Sequence, residues 1–407
     1  MRFGLIYYGT EPRNRGLDQL AQVLRQLGHK AFVVYRAPKS GPTITEFNGT
    51  PVVRVPRGGG AFKHFLNIPL PFNRFWTWWL VQLGKEYQWD GIFVRETPLS
   101  LEAQAAGRKL GIPLFLDMRE NLVDMYAAGS RKKWYRKLFR PAGLIRFYEA
   151  IACPKFNYIF TVSDELGRWV TQNYSVDKAK VGTLSNFPSL LFLRQAGQAF
   201  LLKSQRPVNR PLRLIHTGYI MENRGLQDVL RAIKILVFRG SPVVLRIIGK
   251  GPYAGELKRL TRELEIEKHV EFIPMLPPQE VARSLADGDI GVCAYLLTRQ
   301  AHQTLPGKLF EYMAAGLPVI SSARKPVVRI VEKEKCGVIY PSREPQVIAD
   351  ALISMLSDPV RLVEMGKRAR DAILKRYNQD ANLKVLGEVI ELSKMSGDKK
   401  AKTGCQQ

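Results

Sequence analysis

The stretch Gln303-Thr304-Leu305-Pro306-Gly307-Lys308-Leu309-Phe310-Glu311-Tyr312-Met313-Ala314-Ala315-Gly316-Leu317-Pro318-Val319-Ile320 reads as a loop, a helix, a stop and a strand. Proline suits the start of a helix, and glycine lets the backbone approach a ligand closely. Leu309, Phe310 and Met313 recur at helical spacing and define a buried side. Gly316 and then Pro318 end the helix, and Val319-Ile320 open a short apolar strand. The first amides of such a helix have no partners within it and carry the positive end of its dipole, so they suit an anion. Glu311 lies one turn further in, where its carboxylate can accept hydrogen bonds from a pair of sugar hydroxyls. An anion site beside a diol site suits a nucleotide-sugar diphosphate.

Outward from this stretch, strands and helices alternate. Residues 212–217 read as a strand, 218–225 as a glycine-bearing loop, 226–238 as a helix, and 243–248 as a strand that ends in Gly249-Lys250-Gly251-Pro252. Later strands are expected at residues 270–275, 290–295 and 338–340, with helices at 278–285, 345–356, 358–377 and 381–392. The first half alternates in the same way. A strand at residues 3–8, a loop to Gly16, a helix at 17–27 and a strand at 31–35 open a doubly wound sheet.

The segment from Gly307 to Ile320 resembles the donor-site helix of retaining GT-B glycosyltransferases of the group 1, family 4 type. The resemblance implies an α/β fold of two Rossmann-like, doubly wound domains facing across a cleft. It places Glu311 on the donor ribose and the loop Leu305-Pro306-Gly307-Lys308 at the donor. A second glutamate often stands eight positions before the first. Gln303 holds that place here, and it can hydrogen-bond a sugar hydroxyl without supplying charge. The glycines Gly218, Gly225 and Gly249 follow the family order. An Arg after the first and a Lys before the second bind the donor diphosphate in the family, and those places hold Tyr219 and Arg224. Arg224 keeps the charge and adds a fork that suits phosphate. The rest of the clamp then falls to Lys250, Lys308 or the helix amides. The resemblance also places ligand contacts in the first loop, at Gly16, and a base-binding backbone patch after residues 270–274.

In the first half, residues 113–117 form a strand that delivers Asp117, Met118, Arg119, Glu120 and Asn121 to the carboxyl edge of the sheet, where open α/β sheets bind ligands. Many relatives carry a histidine near here, whereas this chain resembles a subgroup with an Arg–acid pair, Arg119-Glu120. Arg119 can bind phosphate or fix Glu120, and Glu120 can act as a base or as a ligand of the acceptor hydroxyl. With Arg224 these two are the expected catalytic residues.

The resemblance and the composition divide the chain into an acceptor-binding domain at residues 1–188, closed by Asn186-Phe187-Pro188, and a linker at 189–211. A donor-binding domain follows at 212–377, then a terminal helix at 378–393 that crosses back to the first domain, and a disordered polar tail at 394–407.

With 407 residues, 45% hydrophobic and 24% charged, the chain has room for two real cores. Its 62 Lys and Arg against 36 Asp and Glu leave +26, which points to a polyanionic partner. Residues 131–155 hold eight Lys or Arg and the single acid Glu149, interleaved with Trp134, Tyr135, Leu138, Phe139 and Phe147. Residues 57–74 again mix aromatic with basic side chains. The former reads as a surface-lying helix for an anionic membrane, each basic residue contributing about 1 kcal/mol near anionic lipid, and the latter as a membrane interface or a site for a lipid-linked acceptor. Nucleic acid would use the same charges, but no nucleic-acid-binding motif is recognisable. No apolar run approaches the ~18 residues of a spanning helix, and the run at residues 3–8 is too short for a signal peptide. Cys153, Cys293, Cys336 and Cys405 show no metal or redox spacing and read as reduced thiols.

The expectation is therefore a retaining glycosyltransferase that moves a sugar from a nucleotide-sugar donor to a lipid-linked or envelope glycan acceptor. It would be cytoplasmic and peripheral to the inner face of the membrane. Neither metal nor other cofactor is expected, since no Asp-x-Asp-like cluster occurs in a suitable loop. The alternatives are a nucleotide-sugar 2-epimerase of the same fold and a non-enzymic basic nucleotide- or nucleic-acid-binding protein.

Overall fold

The computed structural model describes residues 1–9, 15–36, 45–55, 73–129, 142–203, 211–241 and 243–404. Most of the two aromatic and basic segments, residues 57–72 and 131–141, lies outside the described residues. The chain forms two compact units, Met1–Ser185 with the residues from Asp380 onward, and Asn186–Gln379.

The first unit runs β1 (Arg2–Tyr7), α1 (Arg15–Gln26), β2 (Lys30–Arg36), β3 (Glu46–Phe47), β4 (Thr50–Val55), α2 (Arg74–Glu86), β5 (Gly91–Arg95), α3 (Ser100–Leu110) and β6 (Leu114–Met118). It continues with α4 (Leu122–Gly129), α5 (Ala142–Ala152), β7 (Tyr158–Thr161), α6 (Asp164–Asn173) and β8 (Val181–Thr183). Among the described residues the sheet order is β3-β4-β2-β1-β5-β6-β7-β8, parallel except for β3 against β4. The apolar runs of the central strands β1, β5, β6 and β7 are buried on both faces, as a parallel sheet requires. Phe93 and Phe115 stack on neighbouring strands with ring centroids 4.7 Å apart. Ser163 caps α6 by accepting a hydrogen bond from the Leu166 amide at 3.2 Å.

The second unit runs α7 (Leu190–Lys203), β9 (Leu212–Thr217), α8 (Leu226–Phe238), β10 (Val243–Ile248), α9 (Ala254–Glu263), β11 (Val270–Ile273), α10 (Pro278–Leu285), β12 (Ile290–Cys293) and α11 (Gly307–Ala314). It continues with β13 (Val319–Ser322), α12 (Lys325–Glu334), β14 (Gly337–Tyr340), α13 (Pro345–Leu356) and α14 (Pro359–Lys375). Its parallel sheet has the order β11-β10-β9-β12-β13-β14. The order reverses between β9 and β12, which makes their carboxyl ends the topological switch point. In the first unit the reversal falls between β1 and β5, where Tyr7 lies opposite Arg95.

Two segments differ from the sequence reading. Residues 189–211, expected as a linker, contain the helix α7, which buries Phe192, Leu193 and Ala196. Its apolar positions outweigh the polar residues and prolines that suggested a linker. The polar tail expected from residue 394 is helical through Gly404, as part of α15 (Gln379–Gly404). Among these residues Lys and Ala are strong helix formers, and no proline interrupts them. Leu386, Val389 and Ile390 of α15 join Phe3, Leu5 and Phe93 in the core of the first unit.

Candidate functional site

In the second unit the expected donor residues gather at the switch point. The loop after β9 starts at Gly218, whose φ of +115° suits glycine. This loop lies across the end of β10. The Gly218 amide donates to the Ile248 carbonyl at 2.9 Å and the Ile220 amide to the Lys250 carbonyl at 2.8 Å. A Cβ at Gly249 would stand 1.9 Å from the Gly218 carbonyl oxygen. Gly249 is thus required by the packing of one loop on the next, and Lys250 beside it is exposed.

Pro306 caps α11 with extended backbone, and its side chain offers no cap to the first amides. Gly307 has ordinary φ, and a Cβ there would meet nothing closer than Asn186 at 3.5 Å. Neither packing nor backbone strain calls for glycine at this position, unlike Gly249. Leu305 is buried, with its carbonyl accepting from Asn186 Nδ2 at 3.5 Å, and Gln303 is half-buried. Glu311 is buried one turn into α11. Tyr312 pins the helix to the switch point, its hydroxyl accepting from the Thr217 amide at 2.9 Å.

Three cations converge on one ring. The Tyr295 centroid, just beyond β12, lies 4.1 Å from Arg324 Cζ, 4.7 Å from Arg224 Cζ and 5.6 Å from Lys308 Nζ. The buried Arg324 also donates to the carbonyls of Ala301 and Thr304, at 2.9 and 2.6 Å, and so braces the loop that leads into α11. Lys308 Nζ lies 3.0 Å from Nε2 of His216, a fully buried residue of β9. Burial drives His216 well below the ordinary imidazole range, and Lys308 adds to the effect. Burial, with Arg224 and Arg324 adding to it, pushes the Lys308 amine down to about 7, against the opposite pull of Glu311. Tyr219 is about half exposed and carries no cation, as its sequence position implied.

At the switch point of the first unit, Asp117 is fully buried and accepts from Arg95 Nη1 and Arg119 Nε, each at 2.5 Å. Burial alone would raise the Asp117 carboxyl, but Arg119 and Arg95 outweigh it and hold the group below the ordinary carboxylate range. Arg119 also donates to the Leu184 carbonyl at 2.7 Å. The structure thus places Arg119 in a buried bracing role, and half-buried Glu120 at the strand edge beyond it. Gly16 sits at the start of α1 directly against the Arg95 guanidinium. A Cβ there would come within 2.1 Å of Nη2, which accounts for glycine by packing.

Sequence reading missed Glu96. It follows β5 with φ +61°, and its carboxylate accepts from the amides of Arg119 and Glu120 at 3.2 and 3.4 Å. Burial, with Glu120 and Asp117 adding to it, pushes Glu96 up to about 8, although Arg95 pulls the other way. The signal was present, since Glu96 ends a strand at the same sheet edge as Asp117. His216, Tyr295 and Arg324 were also missed, each being a polar or aromatic residue at or just after a strand's carboxyl end.

Elsewhere on the first unit, a cavity of about 690 Å³ opens between α2 and α3. Arg74, Lys85, Arg108, Lys109 and Lys155 line it beside the exposed Trp78, and no carboxylate does so among the described residues. Among the described residues no helix is long and apolar enough to cross a membrane, and no three His, Cys, Asp or Glu side chains gather as a metal site. Cys153, Cys293 and Cys336 are buried free thiols.

Two parallel sheets, each with its polar residues at the switch point, define the class, and comparison with known proteins agrees. Residues 14–187 match the model of glycosyltransferase family 4, and residues 199–372 that of the group 1 glycosyl transferases. The chain belongs to the group 1 glycosyltransferases of the GT-B fold. It is 27% identical over 195 residues to the amylovoran biosynthesis glycosyltransferase AmsK of Erwinia amylovora, covering 48% of each chain. The matched region is thus about half the length of that relative. It is 23% identical to the alpha-monoglucosyldiacylglycerol synthase of Streptococcus pneumoniae, covering 84% of this chain and 75% of the other. Among solved structures, Anabaena HepE in complex with UDP superposes with a TM-score of 0.75 at 14% identity, covering 96% of this chain and 100% of the other.

Proposed function

We propose that the protein transfers a sugar, with retention of configuration, from a nucleotide-sugar donor to a lipid-linked or envelope glycan acceptor. One observation carries the reading. Arg224, Lys308 and Arg324 converge on Tyr295 at the switch point that also holds the start of α11. Such a concentration of positive charge suits a diphosphate. Glu311, buried one turn further in, suits the ribose diol. The names of relatives support both ends of the reaction, UDP for the neighbour HepE and a glycolipid or polysaccharide product for the two sequence relatives.

In the transfer, the bond from the anomeric carbon to the phosphate oxygen breaks and a bond to the acceptor oxygen forms. The leaving diphosphate gains negative charge, which Arg224, Lys308 and the first amides of α11 offset. On this reading no metal is called for. Glu120, at the edge of the first unit, is the side chain assigned to the acceptor hydroxyl and its proton, while Arg119 braces that edge from within. Arg74, Lys85, Arg108 and Lys109 beside Trp78 support contact with an anionic membrane at its cytoplasmic face.

The test is a panel of UDP-, GDP- and ADP-sugars scored by thermal shift, since a ligand of the native state raises the melting temperature. Binders are then incubated with lipid-linked acceptors and the products analysed. A stabilising sugar nucleotide that yields a new glycoside is the expected result. No shift with any donor would end the reading, and an epimerised sugar with no transfer would replace it.

A further inference from the structure

His216 and Lys308 form a pair whose geometry assigns the proton of the imidazole. His216 Nδ1 lies 3.1 Å from the Val292 carbonyl oxygen. A carbonyl only accepts, so Nδ1 carries the hydrogen and Nε2 presents a lone pair. That lone pair faces Lys308 Nζ at 3.0 Å, and Nζ is the donor. His216 is fully buried in β9 and can offer the ligand no proton. Lys308 is half-buried at the second position of α11, and a Cβ at Gly218 would lie 3.5 Å from its Nζ. The amine therefore stands between the Gly218 turn and the helix start.

The groups around it come from every neighbouring element. Arg224 before α8 and Arg324 after β13 are cations, and both share the Tyr295 ring with Lys308. His216 of β9 is neutral, and burial keeps the Cys293 thiol of β12 protonated. Glu311 of α11 and the Tyr312 hydroxyl complete the set. Burial of the amine, and after it the repulsion of the two fixed guanidinium charges, leaves Lys308 only partly protonated near neutrality.

Resting on the reading of a diphosphate donor, we propose that Lys308 takes up a proton at Nζ when the sugar nucleotide binds. On the same proposal, His216 is the positioning residue that holds the amine at the phosphate subsite beforehand. The incoming diphosphate adds negative charge to a site where the single carboxylate of Glu311 stands against two guanidinium groups. The bound ammonium then donates to a phosphate oxygen. Proton uptake makes donor affinity depend on pH, because the free protein must first acquire the charge that the complex keeps.

The test is calorimetry of the full chain with whichever UDP-, GDP- or ADP-sugar binds, in two buffers of different ionisation enthalpy. A sugar nucleotide is a diphosphate diester with no phosphate group that titrates near neutrality, so a proton taken up belongs to the protein. Uptake should approach one proton at about pH 8 and vanish at about pH 6, with affinity falling roughly tenfold between them. Lys308→Met should bind more weakly and take up no proton, and Lys308→Arg should bind with no uptake. His216→Asn removes an acceptor that favours the ammonium, so the midpoint of uptake should move to lower pH. Wild-type binding with no uptake at about pH 8 would overturn the proposal while leaving the donor reading intact, whatever the variants do. So would uptake that persists in a folded Lys308→Met. An unmoved midpoint in a folded His216→Asn would remove His216 from it. Failure of every sugar nucleotide to bind would overturn the donor reading and the proposal together.

Discussion

Arg119 Nε lies 2.5 Å from Asp117 Oδ1, and both side chains are buried beneath the switch point of the first unit. Arg95 bonds the other oxygen of the same carboxylate. Asp117→Asn would leave two buried guanidinium groups without their counter-charge. Breaking a buried pair in this way costs about 3–5 kcal/mol, so urea denaturation should show a much lower midpoint. The Asp117 carboxyl is held below its ordinary range when folded. Its contribution is therefore present above that range and lost as pH falls through the folded value, so wild type and variant should converge in acid.

Glu96 predicts the opposite pH dependence. Its folded carboxyl is pushed up to about 8, so the folded state disfavours its ionised form. Stability relative to a neutral side chain is full below the ordinary carboxylate range and declines as pH rises through about 8. Glu96→Gln should therefore melt several degrees above wild type at alkaline pH, with the gain disappearing in mild acid. Melting curves across that range check it.

Gly249 and Gly307 should separate packing from binding. Gly249→Ala drives a Cβ against the Gly218 carbonyl, so the loop after β9 must move. Overpacking of this kind costs about 1–3 kcal/mol. Gly307→Ala meets no such obstacle and should leave the melting temperature nearly unchanged. If the donor approaches the start of α11, Gly307→Ala should weaken sugar-nucleotide binding all the same. Equal affinity in wild type and Gly307→Ala would move the diphosphate away from that helix start.

Glu311→Ala should lose the bonds from two sugar hydroxyls to a charged acceptor, at about 1.5–3 kcal/mol each, and so reduce donor affinity by 10²-fold or more. Because Glu311 is buried, its melting curve must be compared in parallel. Near-normal binding by a folded variant would take Glu311 out of the site.

Much of this was legible in the chain itself. The alternation of apolar strands with amphipathic helices determined two doubly wound units, because burying a parallel sheet on both faces demands that pattern. The Gly307 to Ile320 stretch placed its own loop, helix and strand at the observed positions, since glycine and proline restrict the backbone locally. What required tertiary structure was the set of contacts between elements far apart in sequence. Arg119 reads as a partner for its neighbour Glu120, yet its guanidinium bonds Asp117 and the carbonyl of Leu184. Gly16, which reads as a ligand contact, packs against the Arg95 guanidinium, and Gly249, which reads as a glycine of the family order, packs against the Gly218 carbonyl. His216 meets Lys308 across 92 positions of chain. Local propensity acts over a few residues, whereas burial and charge act across whatever the fold brings near, so the sequence determined the elements other than the helices over the expected linker and tail, and the folded packing decided which side chains meet.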